Sequence, residues 1–173
     1  GGEKCTEAAA RRAETKGEKR FIDGLNTTVP NLTMEKLRYK DCEEMGVPHY
    51  TDEELAYAQA IVDGYELPGD KRPGKADLYE EPALQKEIAK LSDNGKKPLT
   101  DFLMPFNHPG KVSPGSTDVG DVSWLVPTVQ ASAVGFVSGA PGHSWQNVSC
   151  GHTSIGHKGV LTAGKVIAAT AID

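Results

Sequence analysis

Residues 115–173 read GSTDVGDVSWLVPTVQASAVGFVSGAPGHSWQNVSCGHTSIGHKGVLTAGKVIAATAID, and the fold class turns on this stretch. Two short apolar runs, Val122 to Val126 and Ala131 to Val137, are bounded by turn residues. That is the pattern of buried strands in an α/β sheet. Further on, Val160, Leu161, Gly164, Ile167, Ala168, Ala171 and Ile172 repeat at helical spacing, with Lys158 and Lys165 outside the stripe. This predicts a closing helix with one buried face. The small residues in the stripe would let it approach a sheet closely. The expected class is therefore α/β.

Upstream, residues 3–16 are rich in Ala, Glu, Lys and Arg and predict a helix that Gly17 breaks. Lys19 to Thr28 reads as an irregular strand interrupted by Gly24 and Asn26. Asn31 is a suitable N-cap for a second helix, with Met34, Leu37 and Met45 on its buried side and Gly46-Val47-Pro48 ending it. Thr51 and Glu54 form a capping box, opening a helix that carries Leu55, Ala58, Ile61 and Val62 on one face. Loop chemistry fills 63–75, a short helix begins at Pro82 with Leu84, Ile88 and Leu91 at helical spacing, and 93–98 is loop again. A domain boundary is expected within 63–98.

Composition excludes several classes. The 173 residues carry a formal charge of -5 and 38% hydrophobic side chains, and the mean hydropathy is -0.44. No clustered Lys and Arg suit a nucleic-acid surface. No apolar run reaches the roughly 18–20 residues that cross a bilayer. Three widely spaced cysteines, Cys5, Cys42 and Cys150, fit neither a disulfide framework nor a zinc finger. They point to a reducing, cytoplasmic compartment. The chain opens Gly-Gly-Glu-Lys and its last helix runs uncapped to Asp173, so a piece of something longer is expected.

The chemistry-bearing side chains concentrate between 115 and 159. His143 follows Ala140-Pro141-Gly142 at the exit of a predicted strand, where it could ligate metal, move a proton or simply bond backbone. His152 and His157 flank Thr153, Ser154 and Gly156 just before the last helix. Amides there suit an anion such as a substrate carboxylate, and the alternative is plain helix capping. Ser116, Thr117 and Asp118 lie in a Gly-rich loop with Asp121, which could line a ligand or form a turn. The loop has neither phosphate-binding spacing. The spacing H-x8-H-x4-H matches no metal motif, and Cys150 has no evident base partner.

GSTDVGDVSWLVPT, GHSWQ and TSIGHKG together resemble the C-terminal part of the dinuclear-metal amidohydrolase and carboxypeptidase family, the group of the aminoacylases. Within that family the chain is similar to the aminobenzoyl-glutamate utilisation subgroup. RFIDGLNTTVPN and YTDEELAYAQAI resemble the second half of the family's lid, or dimerisation, domain. The resemblance implies a zinc-peptidase-like α/β catalytic domain and part of an α+β lid. On that reading, 1–62 is the lid half, 63–98 a linker or insertion, and 99–173 the C-terminal part of the catalytic domain.

The resemblance further implies metal-dependent hydrolysis of an amide between an acyl or aryl-acyl group and an amino acid. The complete enzyme would use two zinc or manganese ions and act as a homodimer. His143 matches the family's C-terminal metal ligand, and Ser116, Thr117 and Asp118 match its site-lining loop. Asn31 matches a lid position implied at the substrate, and His157, from its place before the last helix, is expected to help shape the pocket. Most other ligands and the general base lie in an N-terminal segment with no counterpart here, so this chain alone is expected to be inactive. Trp145-Gln146-Asn147 stands where the commoner family pattern is acidic, which leaves the substrate open. Two rivals remain at this point: a non-catalytic dimerisation or interaction module, and a self-contained single-metal hydrolase using His143, His152 and Asp118.

Overall fold

A computed structural model describes residues 2–66, 72–75, 81–108, 115 and 117–173. Helix α1 (Gly2–Arg12) contains no buried residue. Its Ala, Glu, Lys and Arg side chains favour helix without needing a core, and Lys19 folds back to pair with Glu3. The strand expected over Lys19–Thr28 is absent. That segment is exposed, irregular chain, with Phe21 and Ile22 in solvent. Gly24 and Asn26 weaken it as a strand, and no neighbouring extended segment among the described residues pairs with it.

Local cap chemistry starts the next helices where expected. In α2 (Leu32–Met45) the Asn31 side chain accepts from the Met34 amide at 3.1 Å. Gly46, at φ +68, ends the helix, using backbone freedom that only glycine has cheaply. Its buried residues are Asp41 and Cys42, while Met45 is exposed. In α3 (Asp52–Asp63) both halves of the capping box form. The Thr51 amide donates to Glu54 at 2.8 Å and the Glu54 amide to the Thr51 hydroxyl at 3.3 Å. Ala58 and Ile61 of α3 join Tyr50, Leu99, Val137, Cys150 and Ile155 in the core, with Leu55 and Val62 packed against it. Helix α4 (Pro82–Leu91) begins with its proline in the first turn and buries Ile88 completely.

The C-terminal part overturns the α/β expectation. Val122 falls in a short helix, α5 (Val119–Ser123), and the chain then turns, with the Leu125 and Val126 amides both donating to the Val122 carbonyl. Backbone groups satisfied within a local turn are unavailable for a ladder. Ala131–Val137 is irregular chain with a bend at Phe136 and forms no ladder with another segment among the described residues. Half of the structure is helical, 1% is strand, and no sheet forms among the described residues. Two further helices complete the chain, α6 (Trp145–Gly151) and α7 (Ser154–Ile172).

Helix α7 packs on α2 and α6, but not with the stripe its spacing suggested. The buried residues are Ile155, Gly156, Gly159 and Val166. Glycine decides this. A Cβ on Gly159 would lie 2.3 Å from the Val134 carbonyl oxygen, so only a bare backbone lets 131–137 run against the helix. The expected stripe is left outside, with Val160 73%, Leu161 65%, Ile167 58% and Ile172 84% exposed. No helix among the described residues is long and apolar enough to cross a membrane.

Candidate functional site

Among the described residues, the candidate side chains and their neighbours fall in three places. The first is a clasp between α3 and α7. Glu54 is nearly buried, and its two carboxylate oxygens are both engaged. One accepts from the Ser154 hydroxyl at 2.5 Å. The other accepts from the Lys158 ammonium at 2.6 Å and the Thr51 amide at 2.8 Å. Lys158 also donates to the His49 carbonyl at 2.9 Å and lies 5.5 Å from the centre of the Tyr50 ring. Burial opposes the Glu54 charge, but the Lys158 ammonium, the Ser154 hydroxyl and the Thr51 amide outweigh it and bring its pKa down to about 2. Burial first, and then the charges of Glu54 and Asp101, push the Tyr50 phenol up to about 12. Each oxygen of this carboxylate is occupied, so the clasp holds structure and leaves little for a ligand.

The second place joins the Gly-rich loop to the segment before α2. Asp121 accepts from both the backbone amide of Asn26, at 3.1 Å, and its side-chain amide, at 2.6 Å. The Ser123 hydroxyl accepts from the Val29 amide at 2.8 Å and donates to the Gly120 carbonyl at 2.6 Å. Gly120 is required here, because a Cβ would meet the Asn26 carbonyl oxygen at 2.0 Å. Trp124 adds a bond from its indole N–H to the Thr27 carbonyl at 2.9 Å. Asn31 follows two residues beyond the stitched segment 26–29, and that segment is held by the loop that carries Thr117 and Asp118. Asn31 uses its side-chain oxygen as the α2 cap. The Thr117 hydroxyl accepts from the Val119 amide at 3.3 Å, while the exposed Asp118 side chain makes no capping bond. Ser116 lies outside the described residues.

The third place is the turn before α6. His143 is exposed and has φ +54, a left-handed backbone that few side chains adopt. The Ser144 hydroxyl closes the turn on the Pro141 carbonyl at 2.6 Å. Trp145 meets Tyr65 edge to face, 6.2 Å between ring centres. The turn thus leaves the imidazole in solvent on a left-handed backbone. His152 sits at the C-cap of α6, and His157 is exposed in the first turn of α7. Thr153 stands at the α7 N-cap position, yet its hydroxyl donates to the Cys150 carbonyl at 2.7 Å and caps nothing. Cys150 is fully buried and burial raises its pKa, so it is no nucleophile.

Among the described residues no three His, Cys, Asp or Glu side chains gather as a metal would require. The convergence of His143, His152 and Asp118 needed by a self-contained single-metal hydrolase does not occur among them. Three features escaped sequence reasoning. One is the Glu54–Lys158 clasp, whose partners lie 104 positions apart. Another is the bond from the Thr170 hydroxyl to the buried Asp41 at 2.5 Å. The third is a cavity of about 470 Å³ between α2, α7 and the segments 100–107 and 131–139. Only Glu54 carried a local signal, its capping box, and that spoke for the helix start alone.

No family model matches the chain, and no solved structure matches it. It is 36% identical, over 98% of its length, to a subunit of the p-aminobenzoyl-glutamate hydrolase of Escherichia coli (strain K12). The chain spans 35% of the length of that relative. The resemblance carried by GSTDVGDVSWLVPT, GHSWQ and TSIGHKG is upheld: this chain is similar, nearly end to end, to one stretch of a hydrolase polypeptide.

Proposed function

We propose that the chain works as part of a cytoplasmic hydrolase that cleaves the amide between an acyl or aryl-acyl group and an amino acid, with aminobenzoyl-glutamate as the pattern. The observation that carries this is the 36% identity sustained over 98% of the chain. A likeness confined to an isolated motif would carry much less. Because the chain spans 35% of the relative, the activity belongs to a larger assembly. In it, 1–62 is the lid half, 63–98 a linker, and 99–173 a part of the catalytic unit that works as a homodimer.

His143 is one ligand of a site for zinc or manganese. The described residues do not themselves make up a metal donor set, so the remaining ligands would come from outside them. The work assigned to this chain is binding and orientation. An exposed imidazole on a constrained turn offers a nitrogen lone pair without first breaking a hydrogen bond. Thr117 and Asp118, with Ser116, offer hydroxyl and carboxylate groups to the polar parts of the substrate. His157 in the first turn of α7 suits a carboxylate, as does the amide-rich helix start beneath it. Asn31 retains its side-chain N–H groups for substrate while its oxygen caps α2.

The test is a chimera in which this chain replaces the matched stretch of the Escherichia coli relative. The expected result is hydrolysis of p-aminobenzoyl-glutamate that falls about 100-fold or more in His143→Ala, with metal content reduced in parallel. A folded chimera without hydrolysis, or one indifferent to His143→Ala, would sink the assignment.

A further inference from the structure

Helix α7 is apolar on more than the face it buries. From Gly159 to Ile172 its only charged residue is Lys165. Gly156, Gly159 and Val166 point inward, while Val160, Leu161, Gly164 and Ala168 are exposed on the other side. A helix that is apolar all round belongs in an interior. The exposed area also continues sideways. Ile167 and Ala171 line a groove with Pro127, Thr128 and Val129, and the residues just before that groove, Trp124, Leu125 and Val126, are exposed as well. A contiguous apolar surface of this kind marks an interface.

We infer that the outer face of α7, together with the 124–129 segment, is covered by the polypeptide corresponding to the part of the relative that this chain does not span. This rests on the proposed function, because it assumes the chain works inside that larger hydrolase. Two observations favour this occupant. The alignment takes in 98% of the chain, α7 included, yet only 35% of the relative, which leaves a large polypeptide to seat. A second copy of the chain fits poorly. Lys165, the one cation of this stretch, lies about 100° round the helix from Gly164, at the flank of this face; antiparallel two-fold packing there would set both copies side by side, where like charges repel. The absence of charge across the rest of the face suits a close, dry contact, with Gly164 and Ala168 as the points of nearest approach.

The test is thiol labelling at Ala168→Cys and, separately, Leu161→Cys, each in a Cys5→Ser background because Cys5 is exposed and Cys42 and Cys150 are buried. Each variant is labelled in the 173-residue chain and in the chimera with the Escherichia coli relative. The expected result is rapid labelling in the chain and at least tenfold slower labelling in the chimera. Equal rates in both would overturn the inference. So would protection in the chain alone that grows with its concentration, because a second copy would then be the occupant. A chimera that does not fold would also count against it, since the partner surface would not accommodate this face. A chimera that hydrolyses p-aminobenzoyl-glutamate with position 168 still open sinks this inference alone. An inactive chimera with position 168 protected sinks the functional reading alone.

Discussion

The α3–α7 clasp and the His143 turn handle polar groups in opposite ways. Around Glu54, both oxygens are bonded, the carboxylate is nearly buried and its pKa is held down to about 2. Around His143, the side chain is exposed and rides on a left-handed backbone. A saturated network fixes two helices against each other and has little left to give a ligand. An exposed side chain on a strained turn contributes little to the fold and keeps its bonding capacity for something else.

The largest expected effect comes from breaking the clasp. Glu54→Gln removes the charge facing Lys158 and should cost about 2–3 kcal/mol, near the lower end for a buried pair because Lys158 is partly exposed. Chemical denaturation reads this directly. The same carboxylate sets the acid response. Its folded pKa of about 2 lies below the ordinary 4.5, so its contribution is complete above about pH 4.5 and is lost as the pH falls towards 2. Stability measured across that window should fall steeply in the parent chain and more gently in Glu54→Gln. Equal slopes would mean that another group governs acid unfolding.

Next comes the approach of 131–137 to α7. Gly159→Ala gains helix propensity, worth about 1 kcal/mol. It also drives a Cβ to 2.3 Å from a backbone carbonyl that cannot swing aside. The steric cost should win, with a net loss of about 1–2 kcal/mol in thermal or denaturant unfolding. A stabilised variant would show that 131–137 is free to move away from the helix. The smallest effect belongs to His143→Ala, which should leave stability within about 0.5 kcal/mol. A larger loss would make His143 part of the fold and erase the contrast with Glu54.

What was legible in the sequence is whatever short-range chemistry decides. Asn31, Thr51 with Glu54, and Pro82 each mark a helix start because cap and first turn lie within a few residues. The expected strands do not form, because an apolar run becomes a strand only when another segment pairs with it. Val122 entered a local helical turn instead, and Ala131–Val137 found no partner among the described residues. The buried face of α7 differs from the expected stripe for a related reason. Its apolar residues surround the helix, and the choice of inner face fell to Gly156 and Gly159, whose missing side chains admit neighbouring backbone. The displayed His143 was readable from its Gly-Pro turn, whereas no spacing rule links Glu54 to a lysine 104 positions away.

Helix α1 buries nothing, and one exposed ion pair between Glu3 and Lys19 leads back to it. Its unwinding therefore takes no packing from the rest of the molecule. Its amide hydrogens exchange with solvent at the pace of local fraying, while those of α3 and α7 wait for the core to open. A trypsin-like protease would find Arg11, Arg12, Lys16, Lys19 and Arg20 on this arm, where no packed core has to open first. The first cut would shorten the chain and leave the folded body intact.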